Sequence, residues 1–340
     1  MKANTVISIS TGTFLKAVLI LLALGFLWYV RNIVAIIFAS MLLAMLIEPF
    51  AEWFAKRHIP RALAVLIVYI VLLTFLALIL IGIVPIIAEQ FVQLIANLSA
   101  FSKEFADAFA RLQTFSASHG LSQNISTSLQ SLEEGFTQSF GSLFSTVKGF
   151  FGGLATLLII FVLTFYMVAE GERMQKYFKS LAPVQYQPYL AEVMKKIQIK
   201  IGAWLRGQLF LGFIIGVASF IALSLLGVRY ALLLAIIAGF CEMIPYVGPI
   251  FSAIPAAIIA FAQAPVLALM VIASYFVIQQ VENHLLVPKI MQKVTGLNPI
   301  VSIIALLVGV QVGGLLGAIF AIPLATMVMV VIDDTFNAYK

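Results

Sequence analysis

Apolar residues fall into eight runs along the chain: 14–30, 33–50, 62–88, 150–169, 201–226, 230–262, 265–281 and 299–332. A helix needs about 20 apolar residues to cross a bilayer. The pattern therefore predicts an all-α, polytopic membrane protein. Only Arg31-Asn32 separates the first two runs, which read as a tight helical hairpin. The first run does not read as a cleavable signal, because it has no small-x-small site and a second apolar helix follows at once.

The runs 230–262 and 299–332 are too long for simple spans, at about 33 residues each against roughly 20. Each is interrupted near its middle. The first contains Pro245, Gly248 and Pro249, then Pro255; the second contains Gly313, Gly314 and Gly317, then Pro323. Gly248 to Pro255 (GPIFSAIP) resembles Gly317 to Pro323 (GAIFAIP) with one residue deleted, which suggests an internal repeat. Either each run is a kinked single span, or each is a broken, re-entrant hairpin that turns at its Gly/Pro break. Inverted repeats of broken helices recur in transporters, where the freed backbone groups line a substrate site.

Two polar regions interrupt the apolar pattern. In 89–148, Phe91, Leu94, Leu98, Phe101, Phe105, Phe109, Leu112 and Phe115 recur at steps of three and four. Leu121, Ile125, Leu129, Leu132, Phe136, Phe140 and Leu143 do the same after His119-Gly120. Each series marks one apolar stripe on a helix. This region reads as an exterior amphipathic helical hairpin closed on itself, or an oligomer interface, or a helix lying on the membrane surface. In 170–206 the stripe Leu190, Val193, Met194, Ile197, Ile201 and Leu205 follows Pro188, with lysines on other faces. That pattern suits an interfacial helix against anionic headgroups, with coupling to a gate as the alternative. The resulting division is 1–88 (three membrane helices), 89–148 (exterior hairpin), 149–206 (a fourth helix and the basic segment) and 207–340 (a core with the broken helices).

Composition agrees. Of 340 residues, 63% are hydrophobic and 10% charged, and the mean hydropathy is +1.11. Soluble chains carry about 25% charged residues, so a soluble domain, a disordered chain, a disulfide scaffold and a nucleic-acid binder are all excluded. Cys241 is the single cysteine and cannot form an internal disulfide. The formal charge of +6 is explained by sidedness. Lys56, Arg57 and Arg61 mark the 51–61 connection. Arg173, Lys176, Lys179, Lys195, Lys196, Lys200 and Arg206 mark 170–206, and acidic residues outnumber basic ones in 89–148. Basic loops stay in the cytoplasm. This places 89–148 outside and the N-terminus inside, and with two hairpins the C-terminus is inside too.

No phosphate loop GxxxxGK[ST], HExxH or GxSxG is present, so neither an enzyme nor a bound cofactor is expected. The chemistry left is a small set of polar residues within apolar runs: Glu242, Glu282, Asn283, Gln279, Gln311, Arg206 and Gln208. An ionisable group at membrane depth is costly and usually faces a protein interior or a water-filled path. Glu242, just before the first break, is the leading candidate for solute or ion binding; its plainer role is a structural carboxylate paired with Arg206. Glu282 fits either a binding role or the membrane interface. His284 reads as an interface residue, and Glu48 as a solvated one. The glycines and prolines at the breaks serve as hinges or as plain kinks.

The segments EMIPYVGPIFSAIPA (242–256) and QQVENHLLVPKIMQKVTGLNPIVSIIALLVGVQVGGLLGAIFAIPLA (279–325), with AWLRGQ at 203–208, resemble the autoinducer-2 exporter (AI-2E) family, or PerM-type permeases. The motif positions are Glu242, Pro245, Gly248, Pro249, Pro255, Glu282, Pro288, Gly296, Pro299, Gly309, Gly314, Gly317 and Pro323; the chain departs from the family near Val312-Gly313, where a tryptophan is common. The resemblance implies a transporter of the bacterial cytoplasmic (inner) membrane that assembles as a homo-oligomer, with a pentamer as the expected count. Its cargo would be a small polar solute such as autoinducer-2, exported by alternating access with coupling to H+ or Na+. A cation/proton antiporter, a channel and a membrane scaffold are the competing functions.

Overall fold

The computed structural model describes residues 11–96, 153–291 and 297–337. The exterior hairpin expected between 89 and 148 lies outside the described residues from residue 97 onward. The elements are α1 (Thr11–Tyr29), α2 (Arg31–Ala55), α3 (Arg61–Ala96), α4 (Leu154–Ala169), α5 (Gly171–Ser180), α6 (Gln187–Leu225), α7 (Ala231–Cys241), α8 (Gly248–Gln263), α9 (Pro265–Val281), α10 (Val287–Met291) and α11 (Pro299–Asn337). There is no strand among the described residues. Five helical segments are long and apolar enough to cross a membrane: Arg31–Ala55, Arg61–Gln90, Val184–Leu225, Pro265–Met291 and Pro299–Phe336. The chain is an all-α, polytopic membrane protein.

The first two runs do not form the expected tight hairpin. One residue, Val30, stands between α1 and α2. Backbone hydrogen bonds run on through it, from Val30 N to Phe26 O at 2.9 Å and from Val34 N to Val30 O at 3.0 Å. A single residue with its hydrogen bonds intact bends a helix without reversing it. The Arg31-Asn32 pair is polar enough to look like a turn but lacks the glycine or proline that would stop the helix. Arg31 instead stacks on Trp28, 4.5 Å from the ring centre, and Arg57 stacks on Trp53 at 3.7 Å. α2 thus carries an aromatic–arginine pair near each end, as interfacial anchors do.

α2, α3 and α4 pack around Ala44, Ile47, Ala51, Val65, Val68, Tyr69 and Val168. Arg61 ties this bundle together. It pairs with Glu48 of α2, and its Nε donates to the Val168 carbonyl near the end of α4 at 3.0 Å. The expectation of a solvated Glu48 fails, because its side chain is only 12% exposed. A cation at a helix C-terminus also meets the negative end of the helix dipole.

α6 is the spine of the second half. At 39 residues it is about 58 Å long, and it carries the basic segment and the apolar run as one continuous rod. The segment after Pro188 is therefore not a separate helix lying on the membrane surface. Val193, Ile201 and Leu205 of its stripe are buried inside the protein.

Both interrupted runs fold back on themselves. α7 has 11 residues and α8 has 16, about 16 and 24 Å, both too short for a hydrocarbon core of about 30 Å. They turn at 242–247, where a methyl on Gly248 would overlap the Cys241 carbonyl. In α11 the reversal falls at Gly314, whose φ of 59° and ψ of −137° favour glycine. Gly309 and Gly317 then pack backbone to backbone. In a straight helix residues eight apart lie about 12 Å apart, so this contact exists only because the chain turns back.

The hairpins approach from opposite ends of α6. Gly239 of α7 sits against Gly212 of α6, where an added Cβ would lie 2.7–2.8 Å from the facing carbonyl. At the other end, Lys196 Nζ meets Asp334 Oδ1 of α11 at 2.7 Å and Glu192 Oε1 at 2.9 Å. The Tyr189 hydroxyl lies 3.1 Å from Thr335 Oγ1.

Substitutions at Gly317 and Arg61 test these contacts. Gly317→Val forces bulk against the Gly309 backbone and is expected to cost about 1–3 kcal/mol, read as a lower Tm in detergent. Gly82→Ala, in open space, leaves Tm unchanged. Arg61→Gln leaves Glu48 without its cation and is expected to cost about 3 kcal/mol, with much of the loss recovered when Glu48→Gln is added.

Candidate functional site

The breaks place polar groups at one depth. α7 ends at Cys241, and Glu242 follows in the turn; its side chain is 2% exposed. α9 ends at Val281 and passes into a wide π-type turn, Glu282–Leu286. Such turns often mark functional positions. Glu282 is 4% exposed. The two carboxylates come from different elements and line the same cavity.

They share a cavity of about 300 Å³ lined by Trp204, Gln208 and Leu211 of α6, Pro245, Tyr246, Pro249 and Ile250 of the first hairpin, Gln279, Asn283, Val287 and Met291 around the π-turn, and Ser302 and Ile322 of the second hairpin. Among the described residues no lysine, arginine or histidine lines it. Its polar wall is ordered. Gln279 Nε2 donates to Glu282 Oε2 at 3.1 Å and approaches Asn283 Oδ1 at 3.4 Å. The spacing 279, 282, 283 puts these three on one helix face. Gln208, 2% exposed, donates through Nε2 to the Glu242 main-chain carbonyl, which holds the hairpin tip against α6. Glu242 Oε2 is buried and has no hydrogen-bond partner among the described residues.

A model of AI-2E family transporters matches residues 17–337. The chain belongs to the AI-2E transporter family. It is similar to YueF of Bacillus subtilis (strain 168), a transport protein by name, at 30% identity over 80% of this chain and 76% of YueF. YrrI of the same strain, also a transport protein by name, is 27% identical over 88% of this chain and 85% of its own. PerM of Escherichia coli (strain K12), a permease by name, is 27% identical over 93% and 92%. This AI-2E family member is a multi-pass membrane transporter.

Of the polar residues singled out in the sequence, Glu242, Glu282, Asn283, Gln279 and Gln208 meet at the cavity. Arg206 and Gln311 do not. Arg206 Nη1 reaches the Met45 carbonyl of α2 at 3.3 Å, so the Arg206–Glu242 pair is not formed. Two residues along a helix turn by about 200°, and Gln208 already faces the cavity. Gln311 is exposed. It lies nine residues from cavity-lining Ser302, on the opposite face by the same rotation. His284 is exposed and bonds its own helix, Nδ1 to the Gln280 carbonyl at 2.9 Å.

The hinge residues divide by role. Pro245 and Pro249 line the cavity. Gly248 and Gly317 sit at close backbone contacts, and Gly313 lies beside the Gly314 turn. Pro255 and Pro323 are buried inside helices. Gly296 lies outside the described residues. Trp204, Tyr246, Met291, Ser302 and Ile322 were not read as site residues. Only Tyr246 carried a signal, its place inside IPYVGP. Its φ of 66° puts a bulky residue in the left-handed region, a kind of strain that gathers at functional sites.

Gln208→Leu removes the donor to the Glu242 carbonyl and is expected to cost about 1–3 kcal/mol, measured as Tm. Arg206→Gln, away from the cavity, is expected to change stability and leave solute affinity intact.

Proposed function

We propose that this transporter exports a small polar solute, of the autoinducer-2 kind, by alternating access between its two helical hairpins, driven by an ion gradient. The observation that carries this reading is the pair of buried glutamates, Glu242 and Glu282, in the wall of one cavity. Two negative carboxylates in one cavity repel; a proton or a monovalent cation between them removes the repulsion. Binding or loss of that ion changes the force between the first hairpin and the π-turn, the two elements that carry the glutamates. Gln208, Gln279, Asn283 and Ser302 offer hydrogen bonds to a solute, while Trp204 and Tyr246 supply flat apolar surface. The approach of the hairpins from opposite ends of α6 supports the alternating geometry.

Orientation follows from charge. Lys196–Asp334 and Tyr189–Thr335 join the C-terminal end of α11 to the basic end of α6. If basic segments stay in the cytoplasm, the C-terminal end is cytoplasmic, and the membrane is the bacterial inner membrane.

Cation/proton antiport is the second reading. A cavity bearing two carboxylates and no basic residue among those described favours it.

Efflux of autoinducer-2 from proteoliposomes, with and without a proton or sodium gradient and against empty liposomes, tests the proposal. The expected result is efflux accelerated by a gradient and abolished by Glu242→Gln. Gradient-independent efflux indicates a facilitator or channel. Cation-driven proton movement without efflux moves the protein to the antiport reading.

A further inference from the structure

The cavity that holds the carboxylates meets α6 near its middle, at Trp204, Gln208 and Leu211. Alternating access needs a route to it from each end of α6, one past the basic N-terminal half and a second past the C-terminal end. The polar groups along that way single out one seam.

Ser219 of α6 is fully buried. The other buried serines and threonines each donate to a carbonyl three or four residues earlier: Ser40 to Ile36, Thr164 to Ile160, Ser252 to Pro249, Ser302 to Asn298 and Thr326 to Ile322. Such back-bonding is the usual way a helix satisfies a hydroxyl. Ser219 Oγ makes no such bond. It lies beside the hydroxyl of Tyr275 on α9, which is 8% exposed and also has no hydrogen bond of ordinary geometry. Two buried hydroxyls with only each other to meet are a costly pair in an apolar cluster. Polar groups kept under those conditions point to water or an ion that reaches them.

The two hydroxyls sit in line with the carboxylates. Tyr275 is seven residues before Glu282 on the same face of α9, about 10 Å away. Cys241, next to Glu242, is half-buried at the end of α7. In the other direction an apolar layer follows, with Leu223, Leu234 and Val271 each at most 1% exposed. Beyond it Gln90, Gln93, Arg229 and Tyr230 line a second, open cavity of about 350 Å³, and Tyr230 packs against the same cluster as Tyr275. A polar mouth, a thin apolar layer and a polar interior leading to the carboxylates make a gated path.

We propose that the seam between α6 and α9 is the second access route for water and protons to Glu242 and Glu282, lined by Ser219 and Tyr275 and closed in this structure by Leu223, Leu234 and Val271. The proposal rests on the transport reading above, so its test carries a separate readout for that reading.

The experiment uses the full chain with Cys241→Ser in membrane vesicles of both orientations, under proton gradients of either direction. Ser219→Cys or Gln208→Cys is introduced singly, and a membrane-impermeant, positively charged methanethiosulfonate is the probe. The Ser219→Cys thiol is expected to be labelled from the side of Gln90 and Arg229, and the Gln208→Cys thiol from the basic side. Labelling at position 208 without labelling at 219 under any gradient overturns the second route and leaves the transport reading standing. Labelling at 219 from the basic side alone also overturns the route, since the seam would then belong to the first cavity. Failure at both positions, in protein that retains its Tm, overturns both. Should Cys241→Ser itself lower Tm, Cys241→Ala serves as the background.

Discussion

A helix that stops inside a bilayer leaves backbone N–H and C=O groups without water to meet them, and each unsatisfied group costs several kcal/mol. Two such stops lie at the centre of this protein, and much of the architecture satisfies them. At the first tip the chain runs through tight turns, with Met243 N bonding Phe240 O, Ile244 N bonding Cys241 O, Val247 N bonding Pro245 O and Gly248 N bonding Ile244 O. Gln208 reaches across from α6 to the Glu242 carbonyl. At the start of α7 the Leu233 N–H donates to Gln90 Oε1 of α3 at 3.1 Å. Asn298 accepts from the Ile300 N–H at 2.9 Å, which caps α11. The broken helices are fixed by their neighbours, and those neighbours also form the cavity.

Close approach is the second half of the same constraint. Without a hydrophobic force between helices in lipid, packing and small residues hold them together. Gly212 and Gly239 let α6 and α7 meet at backbone distance, and Gly309 with Gly317 does the same within α11. The first contact brings α7 close against α6, so that Gln208 reaches the Glu242 carbonyl; the second closes the other hairpin, whose Ser302 and Ile322 line the same cavity. In the proposed alternating access, the bonded turn at 240–248 lets the first hairpin move as a unit.

Much of this was legible in the sequence because the signals were local. Glu242 beside IPYVGP, and glycines in the middle of an overlong apolar run, mark a break wherever the run sits. Gln279, Glu282 and Asn283 share a face by spacing alone. What could not be read depended on rotation and on partners far along the chain. Arg206 and Gln208 are neighbours in AWLRGQ, yet 200° of helix turn sends one to the Met45 carbonyl and the other to the cavity. Trp204, Met291 and Ile322 look like ordinary apolar residues until three elements converge on them. Arg31-Asn32 misled in the opposite direction, since two polar residues do not end a helix whose hydrogen bonds are uninterrupted.

The same logic explains why buried polar groups in this fold sort into two kinds. Ser40, Thr164, Ser302 and Thr326 return their hydroxyls to their own helices and behave as small core residues. Gln208 donates its side-chain amide to the Glu242 carbonyl at the first break, and Gln279 donates its own to Glu282. Ser219, Tyr275 and one oxygen of Glu242 belong to neither group. Ser219 and Tyr275 meet each other across α6 and α9 where the other buried hydroxyls turn back on their own helices. Back-bonding would have satisfied Ser219 within α6 alone, so the contrast between this pair and the other buried hydroxyls is the feature that the proposed second route accounts for.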